Sequence, residues 1–214
     1  MYNKKLRDNI IRDLLMRWYK LNKRNFPWRL ENIDPYHVLI AEIFLRQTRA
    51  IVVERVYEKF INRYPNIDIL LSASEDDLLT IMKPLGISSR VQEIKKLMKI
   101  IKIKYDGKIP INKKTLQKLP GVGEYTASAI RIFAFNRRDL MIDTNIKRMI
   151  LRIYGTNNLV EIYDNLKNLS KDVNIRDFFY MCLDFGALVC KSTSPLCHSC
   201  PIQKYCNEYL IKGF

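Results

Sequence analysis

Apolar residues recur along most of this chain at the three- and four-residue spacing of one helical face, and no stretch alternates long enough to read as a strand. Ile10, Ile11, Leu14, Leu15, Trp18 and Leu21 mark a first helix over residues 9–21. Asp34 followed by Pro35 is a helix start, with Asp as N-cap and Pro at the first helical position, and that helix should run to about Arg46. Residues 51–64 form a third helix, stopped by Pro65. Ser72 with Glu75 reads as a capping box for residues 73–82, and Pro84-Leu85-Gly86 ends that helix. Val91, Ile94, Leu97, Met98 and Ile101 line one side of a helix over 89–105, whose many lysines form a face turned to solvent or to DNA. Further helices are predicted over 113–118 with Asn112 as cap, over 125–135, from Asp143 to near Gly155, over 160–169 and over 175–189. The chain is therefore predicted to be all-α, with about ten helices. Pro27 breaks the pattern between residues 22 and 32, leaving an aromatic-basic loop whose Phe26, Trp28 and Arg29 serve packing or, alternatively, direct DNA contact.

The 214 residues carry 48% apolar side chains, ample for a core and too many for a disordered chain. With 37 Lys+Arg against 22 Asp+Glu, the formal net charge is +15, spread from Lys4 to Lys212 and not confined to a tail. A dispersed positive field favours a polyanion, DNA or RNA foremost. The N-terminal stretch has alternating charge and lacks the apolar core of a secretion signal, and no run approaches a membrane span. An intracellular, cytoplasmic protein without membrane contact is expected. Four of the five cysteines lie between Cys190 and Cys206, which in a reducing compartment points to metal and away from disulfides.

Three local features carry chemistry. The helix from Pro35 is apolar on every side except at Glu42. A helix apolar all round is buried, so this carboxylate must be paired, neutralised or aimed into a cavity, and burial should push its pKa upward, as suits a proton donor. The run Leu119-Pro120-Gly121-Val122-Gly123 joins two short helices through a tight turn, in which each Gly permits a left-handed backbone or close approach of another molecule. Such a turn exposes the N–H groups of the following helix, where their partial positive charge suits a phosphate oxygen. Asp143 then opens the next helix, as an N-cap or as a carboxylate available for catalysis. The third feature is the spacing C-x6-C-x2-C-x5-C of Cys190, Cys197, Cys200 and Cys206, which suits a tetrahedral zinc or a [4Fe–4S] cluster. Cys182 lies outside it as a buried thiol, and His198 sits between ligands without being needed as one.

LPGVGEYTA followed by MIDTNIKR, with this cysteine spacing, resembles the helix-hairpin-helix, catalytic aspartate and cluster loop of the endonuclease III superfamily of DNA base-excision glycosylases. The resemblance extends from Trp18 to Cys206 and implies a two-domain fold: residues 31–133 as a central helical domain, and 1–30 with 134–214 as a discontinuous domain bearing a C-terminal [4Fe–4S] loop. It favours iron–sulfur over zinc and implies a structural, not redox, cluster. It also implies a monomer acting on double-stranded DNA that contains a mismatched or damaged base, nucleoid-associated when bound. Leu119, Gly121, Val122, Gly123, Gln47 and Thr126 become the DNA-contact candidates, with Lys191 and Lys204 available to the backbone.

A glycosylase must extrude its target nucleotide, and cleaving the bond from base to sugar builds positive charge on the deoxyribose. A carboxylate stabilises that charge in the transition state, the role assigned to Asp143. PWRLENIDPYHVLIAEIFLRQT resembles the opening of the adenine-specific and thymine/uracil mismatch-specific members, where a glutamate in the place of Glu42 takes part in catalysis. Strand-cutting members carry a lysine where this chain has Tyr125; a phenol cannot form an imine, so a monofunctional enzyme using water is expected, with Tyr125 lining the base pocket or packing on the hairpin. Adenine-specific members share Glu42, Gln47-Thr48 and often the tyrosine. They tend, however, to have paired tyrosines where this chain has Ile87-Ser88, Asp-Gly-Asn where it has Asp143-Thr144-Asn145, and a further C-terminal domain beyond the point where it stops at Phe214. The nearer match is the archaeal-type thymine/uracil mismatch glycosylase. The alternatives are an adenine glycosylase without its recognition domain and a non-catalytic, cluster-bearing DNA-binding protein.

Overall fold

A computed structural model describes residues 3–87 and 89–212. Among the described residues twelve α-helices run in chain order: α1 Lys4–Asn22, α2 Pro35–Leu45, α3 Ala50–Arg63, α4 Ile67–Ser72, α5 Glu75–Met82, α6 Arg90–Tyr105, α7 Lys113–Gln117, α8 Glu124–Phe133, α9 Thr144–Tyr154, α10 Leu159–Leu169, α11 Ile175–Leu188 and α12 Asn207–Lys212. No strand occurs among the described residues. The predicted starts at Asp34, Asn112 and Asp143 are real caps, each side-chain oxygen accepting a backbone N–H of the first turn.

Two corrections concern short elements. Ser72 does not cap the helix that follows it; it closes α4, donating to Ile69 O, while Ser74 caps α5 by accepting from Asp77 N at 3.1 Å. Both serines stand three residues before an acidic residue, so the local pattern is the same, and burial of Leu70 and Leu78 decides which is used. Helices α4 and α12 raise the number above the expected ten; at six residues each they are too short to display a hydrophobic period.

The chain divides into two compact units, Asn25–Arg137, and Met1–Arg24 with Arg138–Phe214. In the first, α2 packs against α3 and α8, and its residues from Val38 to Phe44 are all buried. Phe44, Phe60 and Tyr64 meet edge to face, and Trp28 packs edge-on to Tyr57 while stacking on Phe26. The aromatic-basic loop is thus core and its flank, with the Arg29 guanidinium over Phe26. In the second unit, α11 packs against α1 and α9. The chain's two ends are joined there by long-range polar contacts: Arg7 donates to Ile153 O and Tyr205 O, the Tyr154 hydroxyl donates to buried Asp8 at 2.7 Å, and Arg24 pairs with fully buried Asp184 at 2.7 Å.

Candidate nucleic-acid interface, carboxylates and cysteine loop

In the unit of residues 25–137, the turn between α7 and α8 is held from beneath. Leu116, Leu119 and Val122 are buried, and Val122 N donates to Leu119 O at 3.1 Å. Leu119 and Val122 therefore belong to the core beneath the turn, and Gly121 and Gly123 are its exposed positions. Thr126 is buried as well, on the first turn of α8. The two glycines differ. Gly121 has φ 74°, the left-handed region that disfavours any Cβ. Gly123 has φ −80°, a conformation open to all residues, and a Cβ built there meets nothing within 4 Å. It is the N-cap of α8 and provides no side-chain oxygen, so the first N–H groups of that helix face an exposed surface without a side-chain cap.

Arg46, just past α2, reaches this turn and donates to Gly121 O at 3.0 Å. Gln47 follows, exposed and in the left-handed region at φ 64°. The Thr48 hydroxyl donates to Leu85 O at 3.3 Å. Glu42 lies about one turn before Arg46 on α2, among buried aliphatic residues and 7% exposed, and Tyr125 is half-buried on α8, the helix packed against α2. Ile87 is buried, and Ser88 lies outside the described residues.

In the other unit, Asp143 uses both carboxylate oxygens. Oδ1 accepts Ile146 N at 2.7 Å, as an N-cap does, and Oδ2 accepts the Asn145 amide at 2.9 Å. Asn145 Oδ1 accepts from Arg148 Nη2 at 2.8 Å, and Arg148 also donates to Gly186 O and Cys190 O, each at 2.9 Å. Gly186 is required by this packing, because a Cβ there would come within 2.8 Å of Asn145 Cβ. Sequence reading missed Asn145 and Arg148 as partners of Asp143. Their spacing on the first turn of α9 allows the contact, but the backbone acceptors of Arg148 about forty positions away have no local signature.

The cysteine loop is gripped from the same helix. Arg152 donates to Lys191 O at 2.6 Å and Ser192 O at 3.2 Å, and its Nη1 lies 3.5 Å from Cys190 Sγ. Cys190, Cys197, Cys200 and Cys206 all line one cavity of about 230 Å³. Burial pushes the Cys200 thiol up to about 12, and raises Cys197 and Cys206 as well, with the neighbouring cysteines adding to the shift. Three thiols disfavoured as anions, sharing one cavity with Cys190, are what a cationic metal centre would convert to thiolates. Among the described residues no group of three or more His, Cys, Asp or Glu already stands in ion-binding geometry. Cys182 is fully buried on α11, its thiol raised first by desolvation and then by Asp143. No described helix is long and apolar enough to cross a membrane.

Residues 40–173 match the family model for the HhH-GPD superfamily base excision DNA repair protein. The chain is 35% identical over 202 residues to the adenine DNA glycosylase of Buchnera aphidicola subsp. Baizongia pistaciae, covering 92% of this chain and 57% of that relative. It is 32% identical over 202 residues to the thymine/uracil-DNA glycosylase of Methanothermobacter thermautotrophicus, covering 91% of each. The solved structure of a thermostable thymine-DNA glycosylase superposes with a TM-score of 0.90 at 30% identity, covering 97% of this chain and 99% of that one. The chain thus spans little more than half of the first relative and most of the second.

Proposed function

Because the chain belongs to the HhH-GPD superfamily of base excision DNA repair proteins, we propose that it is a monofunctional DNA glycosylase that removes thymine or uracil mispaired with guanine. The observation that carries this reading is the likeness, along nearly the whole of both chains, to a thymine-DNA glycosylase structure. The protein acts as a monomer inside the cell on double-stranded DNA. It binds the phosphate backbone through the uncapped N–H groups of α8 and the turn at Gly121 and Gly123, with the +15 net charge raising affinity for any duplex. Gln47, exposed, belongs to the same DNA-facing set, while Leu119, Val122 and Thr126 are buried and support the turn from beneath.

Asp143 carries the charge that stabilises the developing oxocarbenium, and its two hydrogen bonds hold the carboxylate in place without neutralising it. Glu42 protonates the departing base or positions water, a role suited to a carboxyl buried on an apolar helix. Tyr125 replaces the lysine of strand-cutting relatives and lines the base pocket; without an amine no Schiff base forms, and an intact abasic strand is left. Cys190, Cys197, Cys200 and Cys206 hold a [4Fe–4S] cluster that keeps their loop folded. Iron–sulfur is favoured over zinc by the spacing C-x6-C-x2-C-x5-C, which resembles the cluster loop of the endonuclease III superfamily. In place of the sequence-based boundaries at residues 31 and 133, the domains proposed are the two compact units themselves.

The likeness to an adenine glycosylase keeps adenine release as the second reading. One assay separates them: the purified protein against duplexes carrying G·T, G·U, A opposite oxidised G, A·G and hypoxanthine, each read with and without alkali. Release from G·T and G·U, with strand breaks only after alkali and no borohydride-trapped complex, is expected. Release of adenine alone would move the protein to the second reading, and efficient borohydride trapping would overturn the monofunctional mechanism.

The hairpin glycines give a sharper prediction. Gly123→Ser supplies the N-cap oxygen that α8 lacks, so thermal stability should be unchanged or higher by roughly a few tenths of a kcal/mol. The same hydroxyl occupies the N–H groups meant for phosphate, so affinity should fall about tenfold, roughly 1.4 kcal/mol, on damaged and undamaged duplexes alike. Gly121→Ser should instead cost about 1 kcal/mol or more of stability through its left-handed φ. Thermal melts and fluorescence titrations of both variants check the contrast; equal stability losses would contradict it.

A further inference from the structure

The last carbonyls of a helix need donors from outside it. At the end of α2 two carbonyls are served by one side chain: Arg90 Nη1, from the first position of α6, donates to Ile43 O at 3.0 Å and to Arg46 O at 2.9 Å. Its second nitrogen, Nη2, donates to Gln47 Oε1 at 3.1 Å. Arg90 is itself anchored, its own N–H bonding Ile87 O at 2.8 Å. A single planar guanidinium thus grips the backbone before Gln47 and the amide oxygen of Gln47 together, which an ammonium could not do in the same geometry.

Gln47 needs such a grip. Its φ of 64° costs a non-glycine residue about 1–2 kcal/mol and persists only where the surroundings impose it. Arg90 on one side and the Thr48 hydroxyl bond to Leu85 O on the other supply that constraint. The bond has a chemical consequence. A glutamine amide has an acceptor end and a donor end, and a guanidinium can only donate. With Oε1 held by Arg90, the exposed Gln47 side chain offers its NH₂ outward, and that group donates to no described residue.

We infer that Arg90 is a positioning residue that holds Gln47 as a one-way hydrogen-bond donor toward an acceptor of the lesion-containing duplex. The inference rests on the glycosylase reading above. The acceptor is either a base-edge oxygen or nitrogen, or a phosphate oxygen.

The test measures binding to a duplex with a stable abasic analogue opposite guanine, against the same duplex undamaged. Arg90→Lys should weaken abasic-site binding about tenfold and leave undamaged binding unchanged. Gln47→Ala should lose the same preference, and in that background Arg90→Lys should cost nothing further, because the pair acts as a unit. Gln47→Glu keeps a partner for Arg90 but turns an acceptor outward, so it should bind the abasic duplex no better than Gln47→Ala, while its unfolding midpoint stays at the wild-type value. Repeating the Arg90→Lys comparison with no base opposite the abasic site separates the sources: the effect vanishes for a base acceptor and survives for a phosphate.

An equal loss on adding Arg90→Lys to Gln47→Ala would overturn the inference, as would wild-type abasic affinity in Arg90→Lys or Gln47→Glu. A wild-type protein with no preference for the abasic duplex would overturn the lesion-binding reading, and the inference with it.

Discussion

Asp143→Asn is expected to bind mismatched duplex almost as wild type does and to lose on the order of 10² or more in single-turnover base release. The substitution keeps an oxygen to accept Ile146 N, so the N-cap of α9 survives and stability should change by less than about 1 kcal/mol. What disappears is the negative charge. A second effect adds to it: the new amide nitrogen would face the Asn145 amide donor that now bonds Oδ2. Relieving that clash by turning Asn145 would put its nitrogen against Arg148, another donor. Asn145→Ala isolates this second effect. It leaves the charge but frees one oxygen, and a smaller loss than in Asp143→Asn is expected. Quenched-flow or manual single-turnover assays on G·T and G·U duplexes decide it; full activity in Asp143→Asn would remove Asp143 from the catalytic role.

Cys200→Ser should have the second large effect, and on several readouts at once. The wild-type protein purified without air should contain about four iron and four sulfide per chain; the variant should contain much less. Stoichiometric zinc without iron in the wild type would overturn the cluster assignment. The loop from Ser192 to Lys204 has few apolar residues, and of these only Ile202 is fully buried, so little besides the cysteines and Arg152 keeps it folded. Loss of its order would also withdraw Cys190 O from Arg148, one of the acceptors that hold the guanidinium against Asn145 and so against Asp143. Cys200→Ser is therefore expected to melt earlier, to bind duplex DNA more weakly and to release base more slowly than its residual binding alone explains. Iron analysis, thermal melts and single-turnover rates at saturating enzyme measure the three effects separately.

Several features were legible residue by residue because each depends on neighbours within one or two turns. Asp34, Asn112 and Asp143 are caps whose oxygens reach N–H groups two or three positions on. The buried α2 with Glu42 at its centre follows from eight consecutive residues, and the left-handed turn at Gly121 from the glycine itself. The cysteine spacing is likewise local. By contrast, the choice of Ser74 over Ser72 as cap turned on which leucines are buried, and the one-sided use of the two glycines turned on the path of the turn.

The sequence alone determined an all-α chain, the places where helices begin, a buried carboxylate, a hairpin able to present N–H groups and four clustered thiols, since these arise from propensity, capping and spacing over a few residues. Only the tertiary structure decided what the arginines do. Arg90 reaches Ile43, Arg46 and Gln47, Arg148 reaches Gly186 and Cys190, and Arg152 reaches Lys191, each across about forty positions. It likewise joined residues 4–24 to the C-terminal helices through Asp8, Arg7 and Asp184. The physical reason is that a guanidinium can serve any carbonyl its long stem reaches. Which carbonyls lie within reach depends on helix packing, and helix packing leaves no mark on the residues flanking the arginine.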